Sequence, residues 1–291
     1  MVRQNKKIKS KRQSLRVKKT SKKKFPYLHG FSPKEQKRLR EQARFGEFII
    51  FSDINYSSIE NLLEVGCGVG AQTEILLRRF PDLKITGIDL NTKQLGAAHK
   101  YLSKLPYGKG RFNLQWMDAS NMEFKGKHFD GAFLCWILEH VPNPSQILSE
   151  TRRVLRPGGR IYITEVMNHS FFLEPYSPSV WKYWMALNDY QHSQAGDPFI
   201  GAKLGNLLSA TGFKNVETHI KTFYYDHRHP ENRKEVIDYW TELLLSAKDV
   251  LLKNGRTTEQ EVAQMVEDLT QIRKDPNAVF MYTFMQATAT A

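Results

Sequence analysis

The chain has 291 residues, 41% of them apolar and 25% charged, with a formal net charge of +13. Such a chain can bury a full hydrophobic core; no apolar run approaches the roughly 18 residues of a membrane-spanning helix, and no apolar stretch follows the basic start to make a signal peptide. The two cysteines, Cys67 and Cys135, make no disulfide framework, and no C-x-x-C or His cluster suggests zinc.

The charge is unevenly placed. Met1–Lys24 holds twelve Lys/Arg and no Asp or Glu, so the rest of the chain carries 31 basic against 30 acidic side chains. With four apolar residues in residues 1–24, a disordered basic tail is expected. Its charge suits contact with nucleic acid or an anionic surface, or a localisation signal. A reducing, cytoplasmic setting is expected, or the nucleus if the tail is a targeting signal.

Residues 25–58 read as an N-terminal helical cap. Ser32-Pro33 supplies an N-cap and a first-turn proline, and Glu35 stands where a capping box needs it. Leu39, Ala43 and Phe45–Phe48 form the expected buried face. Tyr27 and His29 lie just ahead, placed for packing and capping or for closing over a ligand.

Asn61–Gly70 (NLLEVGCGVG) organises the remainder. An apolar strand ends in a glycine-rich turn with an amphipathic helix, Ala71–Phe80, behind it, which is the opening of a nucleotide-binding βαβ unit. Gly66 and Gly68 permit tight backbone geometry and close approach of a ligand. Gly66, Gly68 and Ala71 formally satisfy the dinucleotide pattern, with Asp89 the acidic residue expected about twenty positions on. Glu64, however, would face a pyrophosphate across a few ångströms, which is repulsive. S-adenosylmethionine has no phosphate and carries an ammonium and a sulfonium, for which Glu64 is a favourable partner. With Gly70 completing G-x-G-x-G, S-adenosylmethionine is the better fit.

Strands follow at Lys84–Asp89, Asn113–Met117, Phe129–Leu134 and Arg160–Glu165. Helices at Thr92–Lys104 and Ser145–Leu155 alternate with them, predicting a parallel sheet covered on both faces. Asn168–Asp197 reads as aromatic and irregular, Gly201–Thr211 as a helix and Asn215–Tyr225 as a strand. Helices Glu231–Lys253 and Thr258–Lys274 precede a last strand, Val279–Thr288.

Taken in order, E-V-G-C-G-V-G, Ile88-Asp89-Leu90, Asp118-Ala119, Phe129-Asp130 to His140 and Leu155-Arg156-Pro157-Gly158-Gly159 resemble the successive motifs of the class I S-adenosylmethionine-dependent methyltransferases. The resemblance runs from Asn61 to Glu165. It implies an α/β, Rossmann-like, seven-stranded and mostly parallel sheet over residues 59–291, with the last strand antiparallel. An aromatic lid (168–200) and a helical insertion (228–275) elaborate it. It also implies a cofactor site of Glu64, Gly66, Cys67, Gly68, Gly70, Asp89, Leu90, Gln94, Asp118, Ala119 and Cys135, with Tyr27 closing over it. Asp89 would accept both ribose hydroxyl protons, Asp118 and the Ala119 amide would meet the adenine, and the cysteines would be small wall residues.

Methyl transfer is an in-line displacement on an already activated cofactor, so the protein mainly supplies alignment and, where needed, a base. His140 is the candidate base, with ordering of the loop before Pro142 as its plainer role; His169 and His192 are weaker candidates. Leu134-Cys135-Trp136-Ile137 departs from the Asn/Asp-Pro-Pro-Tyr/Phe of exocyclic-amine methylation. The expected acceptor is a small organic molecule in a lidded pocket. An RNA or protein acceptor recruited by the tail, and cofactor binding without turnover, are the alternatives; a near-neutral body argues against a polymer. No metal is required.

Overall fold

A computed structural model describes residues 28–291. The basic tail and Tyr27 lie outside the described residues.

α1 (Pro33–Ile50) begins with Ser32 accepting a hydrogen bond from the Glu35 amide at 3.1 Å. Only half of the expected capping box forms, because the Glu35 carboxylate instead takes a bidentate pair from Arg38 (2.8 and 2.7 Å). The buried face is Glu35, Arg38, Ala43, Gly46 and Ile50, and Phe48 is 85% exposed rather than inward. The Glu35–Arg38 pair lies in the first turn, ahead of the apolar face expected from Leu39 on.

Then come β1 (Asn61–Val65), α2 (Ala71–Arg79), β2 (Lys84–Asp89), α3 (Thr92–Leu102), β3 (Phe112–Trp116), β4 (Phe129–Cys135), α4 (Pro144–Val154) and β5 (Leu155–Val166). The first five strands pair in parallel in the order β3-β2-β1-β4-β5. Chain direction across the sheet therefore reverses beside β1, the place where α/β sheets bind ligands. The expected turn Leu155–Gly159 is an irregularity within β5, whose register on β4 jumps between Phe129 and Gly131.

The second half is more regular than its composition suggests. After β6 (Phe172–Glu174), Ser177 caps α5 (Pro178–Ser193), which buries Val180, Tyr183, Trp184, Leu187, Asn188, Tyr190 and Gln191. That spacing is helical, so the segment read as irregular is mostly a helix with an apolar stripe. α6 (Leu204–Ala210), β7 (Lys214–Tyr225), α7 (Pro230–Ser246), α8 (Lys248–Lys253), α9 (Glu259–Lys274) and β8 (Val279–Thr290) complete the fold. β8 runs antiparallel to β5, β6 and β7. The sheet thus has eight strands, β6 being added to the expected seven.

The aromatic residues pack on one another rather than line an open cavity. Phe171 stacks on Trp240 at 5.0 Å, Trp184 lies 5.1 Å from Trp240, and Tyr282 4.8 Å from it. A buried chain of hydrogen bonds locks this layer: Tyr282 donates to Asn168, Asn168 to Asn188, and the Trp184 indole to the Asn168 carbonyl (2.7, 2.6 and 3.0 Å). α1 is tied down across it by Gln286 donating to the Ile50 carbonyl (2.8 Å), Phe51 on Phe133 (5.7 Å) and Phe45 on Tyr239 (5.7 Å). The roof over the strand ends is therefore a packed structure.

Candidate active site

The glycine turn takes its shape from three left-handed residues, Gly66 (φ 73°), Gly68 (φ 49°) and Gly70 (φ 73°). A Cβ on Gly66 would lie 2.4 Å from Ile137 Cδ1, so this glycine is also required by the loop after β4 packed against it. The Gly66 and Cys67 amides donate to the Ile88 carbonyl (2.8 and 3.1 Å), drawing the turn over the end of β2.

There Asp89 is held by two amides: Gly68 N–H donates to Oδ2 (2.9 Å) and Asn91 N–H to Oδ1 (2.7 Å). Both oxygens are oriented while keeping further lone pairs for a diol. Burial raises the Asp89 pKa, against these two hydrogen bonds. The cap of α3 is Asn91, not Asp89, so Asp89 is not spent on the helix. The Asp89 carbonyl accepts from Met117 N–H (3.2 Å), which brings the β3 end with Asp118 and Ala119 alongside. Asp118 Oδ1 accepts from the Ser120 amide and hydroxyl (2.8 and 2.7 Å). Leu90 is 43% exposed on the same rim, its carbonyl taking the Trp116 indole N–H. Gln94 is buried and joined to α1, its Oε1 accepting from Gln36 (3.0 Å), so it clasps the cap to α3.

Glu64 is 2% exposed and accepts from Thr73 Oγ (2.6 Å). Burial pushes its carboxyl up to about 8, with the nearby Asp89 charge adding to the effect. A buried carboxyl facing the turn suits a cationic ligand group. Cys67 is buried and Cys135 half-buried, and both are free thiols; burial holds both pKa values well above a thiol's ordinary range, which fits wall residues rather than nucleophiles. The Gln72 amide donates weakly to Cys135 Sγ (3.6 Å).

His140 stands in a second cluster, in the loop after β4. Its Nε2 lies 3.5 Å from Glu139 Oε1 and its Nδ1 3.4 Å from Gln191 Nε2. Both ring nitrogens are thus met by protein groups, an arrangement that orders the loop. The His29 ring is 6.4 Å from that of His140, centroid to centroid, and its Nδ1 is 2.6 Å from Ser246 Oγ on α7. Under this loop Glu165 is fully buried and accepts from the Ile137 and Leu138 amides (3.0 and 2.6 Å). Sequence reasoning passed over Glu165, Ile137, Thr73 and Gln191. An acidic residue closing an apolar strand, as at Glu64 and Asp89, was the available signal for Glu165. Among the described residues no cluster of three or more His, Cys, Asp or Glu side chains is arranged to hold a metal ion, and no helix is long and apolar enough to cross a membrane.

Comparison with known proteins bears on the fold and the domain. Residues 63–163 match the family model described as a methyltransferase domain. The O-methyltransferase cnsE of Penicillium expansum is 33% identical over 161 residues, covering 54% of this chain and 53% of that protein. The chain spans about half the length of the curated relatives it matches. A candidate methyltransferase of Bacillus halodurans has the same fold at a TM-score of 0.53 and 18% identity, over 84% of this chain and 97% of that one. Phosphoethanolamine N-methyltransferase 2 of Haemonchus contortus, in complex with phosphomonomethylethanolamine and S-adenosylhomocysteine, aligns at a TM-score of 0.50 and 20% identity, over 87% of this chain and 52% of that one. Residues 63–163 thus form a methyltransferase domain, on a fold that solved methyltransferases share.

Proposed function

We propose that the protein transfers a methyl group from S-adenosylmethionine to a small organic acceptor held between the ends of β4 and β5 and the roof of α1, α5 and α7. The observation that carries this reading is the roof itself. α1 is fastened to α3 by Gln36–Gln94, to α7 by Lys34–Glu242 (2.8 Å) and to β8 by Gln286, so it is held as a fixed cover in this reading. An enclosed site suits a small acceptor and excludes water.

In this reading Asp89 binds the ribose hydroxyls, Asp118 and Ala119 meet the adenine, and Glu64 faces the methionine ammonium. The bound cofactor supplies a methyl group activated on a sulfonium. The chain's own task is to hold the acceptor in line and exclude water. Relatives such as the Penicillium expansum O-methyltransferase favour an oxygen acceptor. A polymer acceptor is the second reading, and the basic composition of Met1–Lys24 favours it.

The test is incubation with methyl-labelled S-adenosylmethionine and a size-fractionated cell extract, with Asp89→Ala as control. Label in the small-molecule fraction, lost in the variant, is the expected result. Label in RNA or protein instead would refute the small-acceptor reading.

A further inference from the structure

The strand β7 has an open edge. Among the described residues it pairs with β8 alone, and no backbone hydrogen bond reaches its other side. Its register on β8 slips between Lys214 and Glu217, then runs unbroken from Glu217 opposite Thr288 to Tyr225 opposite Phe280. A long edge is normally guarded against pairing by a bulge, a proline or an outstretched lysine. Here the bulge lies at one end, and the straight stretch contains no proline. Its one lysine, Lys221, is folded back onto the residues after α1, donating to Ser52 Oγ (2.9 Å) and to Asp53, and its side chain is 11% exposed. The edge is therefore unguarded from Glu217 onward.

Apolar surface flanks it. Ile220 on the strand is 63% exposed, and the exposed Phe48 of α1 stands between Phe45, whose ring lies 5.0 Å from that of Phe223, and Ser52, which meets Lys221. The side chains of the edge fit a second copy of themselves. Glu217, His219 and Lys221 share one face of the strand, and Thr218 and Ile220 the other. Antiparallel pairing about a two-fold axis at His219 sets Glu217 opposite Lys221 of the second copy, and Ile220 opposite Thr218, each contact occurring twice by symmetry. The Glu217 side chain is 67% exposed, beside His219 Nε2 at 3.8 Å. Moving the axis to Glu217 or to Lys221 would set like charges against each other, which destabilises a sheet.

We propose that β7 is a dimerisation edge, which joins two copies of this chain antiparallel about His219 into one continuous sheet. Main-chain hydrogen bonds across the edge supply affinity, and the Glu217–Lys221 and Ile220–Thr218 pairs fix the register. The second copy also covers Ile220. The proposal does not depend on the methyltransferase reading above.

Two measurements on the full chain test it. Sedimentation equilibrium should give twice the chain mass. Glu217→Lys, at an exposed position, turns two opposite-charge pairs into like-charge pairs and should raise the dimer dissociation constant by about tenfold or more. Cross-linking then reads the register. Opposed residues of antiparallel strands have Cα atoms about 4.5–5.5 Å apart, within the span of a disulfide. His219→Cys in a glutathione redox buffer should therefore couple to its own copy, whereas Ile220→Cys, opposite Thr218 rather than itself, should not. A monomeric full chain overturns the proposal, and a dimer that appears only when Met1–Lys24 is deleted assigns the edge to that segment instead. A dimer that is indifferent to Glu217→Lys, or that couples through Ile220→Cys and not through His219→Cys, overturns the assigned pairing.

Discussion

Replacing Glu64 by glutamine probes the cofactor site through its charge alone. The folded carboxyl is held up to about 8 from an ordinary value of 4.5. Between those values the folded chain keeps a proton that the unfolded chain has lost, so stability falls as pH rises through the window. Each pKa unit corresponds to about 1.36 kcal/mol. Integrating the two titrations gives a loss of about 2.5 kcal/mol between pH 5 and pH 7 from this one group. Glu64→Gln is neutral in both states, and its Oε1 can still accept from Thr73, so its stability curve lacks that slope. Denaturant titrations of both proteins from pH 5 to pH 7 should diverge by about that amount, the variant being the more stable at pH 7. The ligand reverses the order. An ammonium beside Glu64 favours the carboxylate, so binding S-adenosylhomocysteine at pH 7 should expel about 0.9 proton from the wild type and none from the variant. Calorimetry in buffers of different ionisation enthalpy reads that number directly. Parallel stability curves, or equal proton release, would refute the buried-carboxyl argument.

Three further predictions concern the frame of the site. Asp89→Asn keeps the shape but loses the charge on an acceptor of two amide bonds and the ribose, so S-adenosylhomocysteine affinity should fall by at least tenfold, at about 1.5–3 kcal/mol per charged hydrogen bond. Unchanged affinity by calorimetry would move the ribose site elsewhere. Gly66→Ala brings a Cβ within 2.4 Å of Ile137 Cδ1 at a left-handed φ, which should cost about 1–3 kcal/mol in a denaturant titration. Ile137→Ala in the same chain should relieve the steric part, and absence of rescue would leave only the backbone. Glu35→Gln breaks the buried pair with Arg38 and should destabilise by about 3–5 kcal/mol. A loss below 1 kcal/mol would show that the pair is solvated in solution.

The parts of this fold that were legible in the sequence are those where one short-range pattern decides the outcome. β2 matches its expected bounds, Lys84–Asp89, because an apolar run is closed by an acid and a helix cap. α5 was obscured because its aromatic residues drew attention as possible pocket lining. Its helical evidence was present in Ser177-Pro178 and in the spacing of Val180, Trp184, Leu187 and Gln191. β6 has three residues, too few for any period to register, and it exists because β8 offers it an edge. The His29–Ser246 contact joins residues 217 positions apart, and no local pattern encodes it.

The strand-end carboxylates show most clearly where local reading stops. Glu64, Asp89 and Glu165 share one signature, an acid at or next to the end of an apolar strand, and the parallel sheet delivers all three to one edge. What each then does depends on what faces it. Two amides converge on separate oxygens of Asp89 and leave both presented to a diol. Two amides converge on a single oxygen of Glu165 and use it to fasten the loop carrying Ile137, which in turn closes on Gly66. Glu64 meets a hydroxyl, which stabilises its charge too weakly to offset burial. In the proposed function it is the carboxyl that a cationic group would ionise, beside the turn where the cofactor's ammonium would lie. In the proposed function the same residue type at the same place in three strands would serve as a ligand-binding group, a structural anchor and a charge complement, and the difference comes from partners supplied by distant parts of the chain.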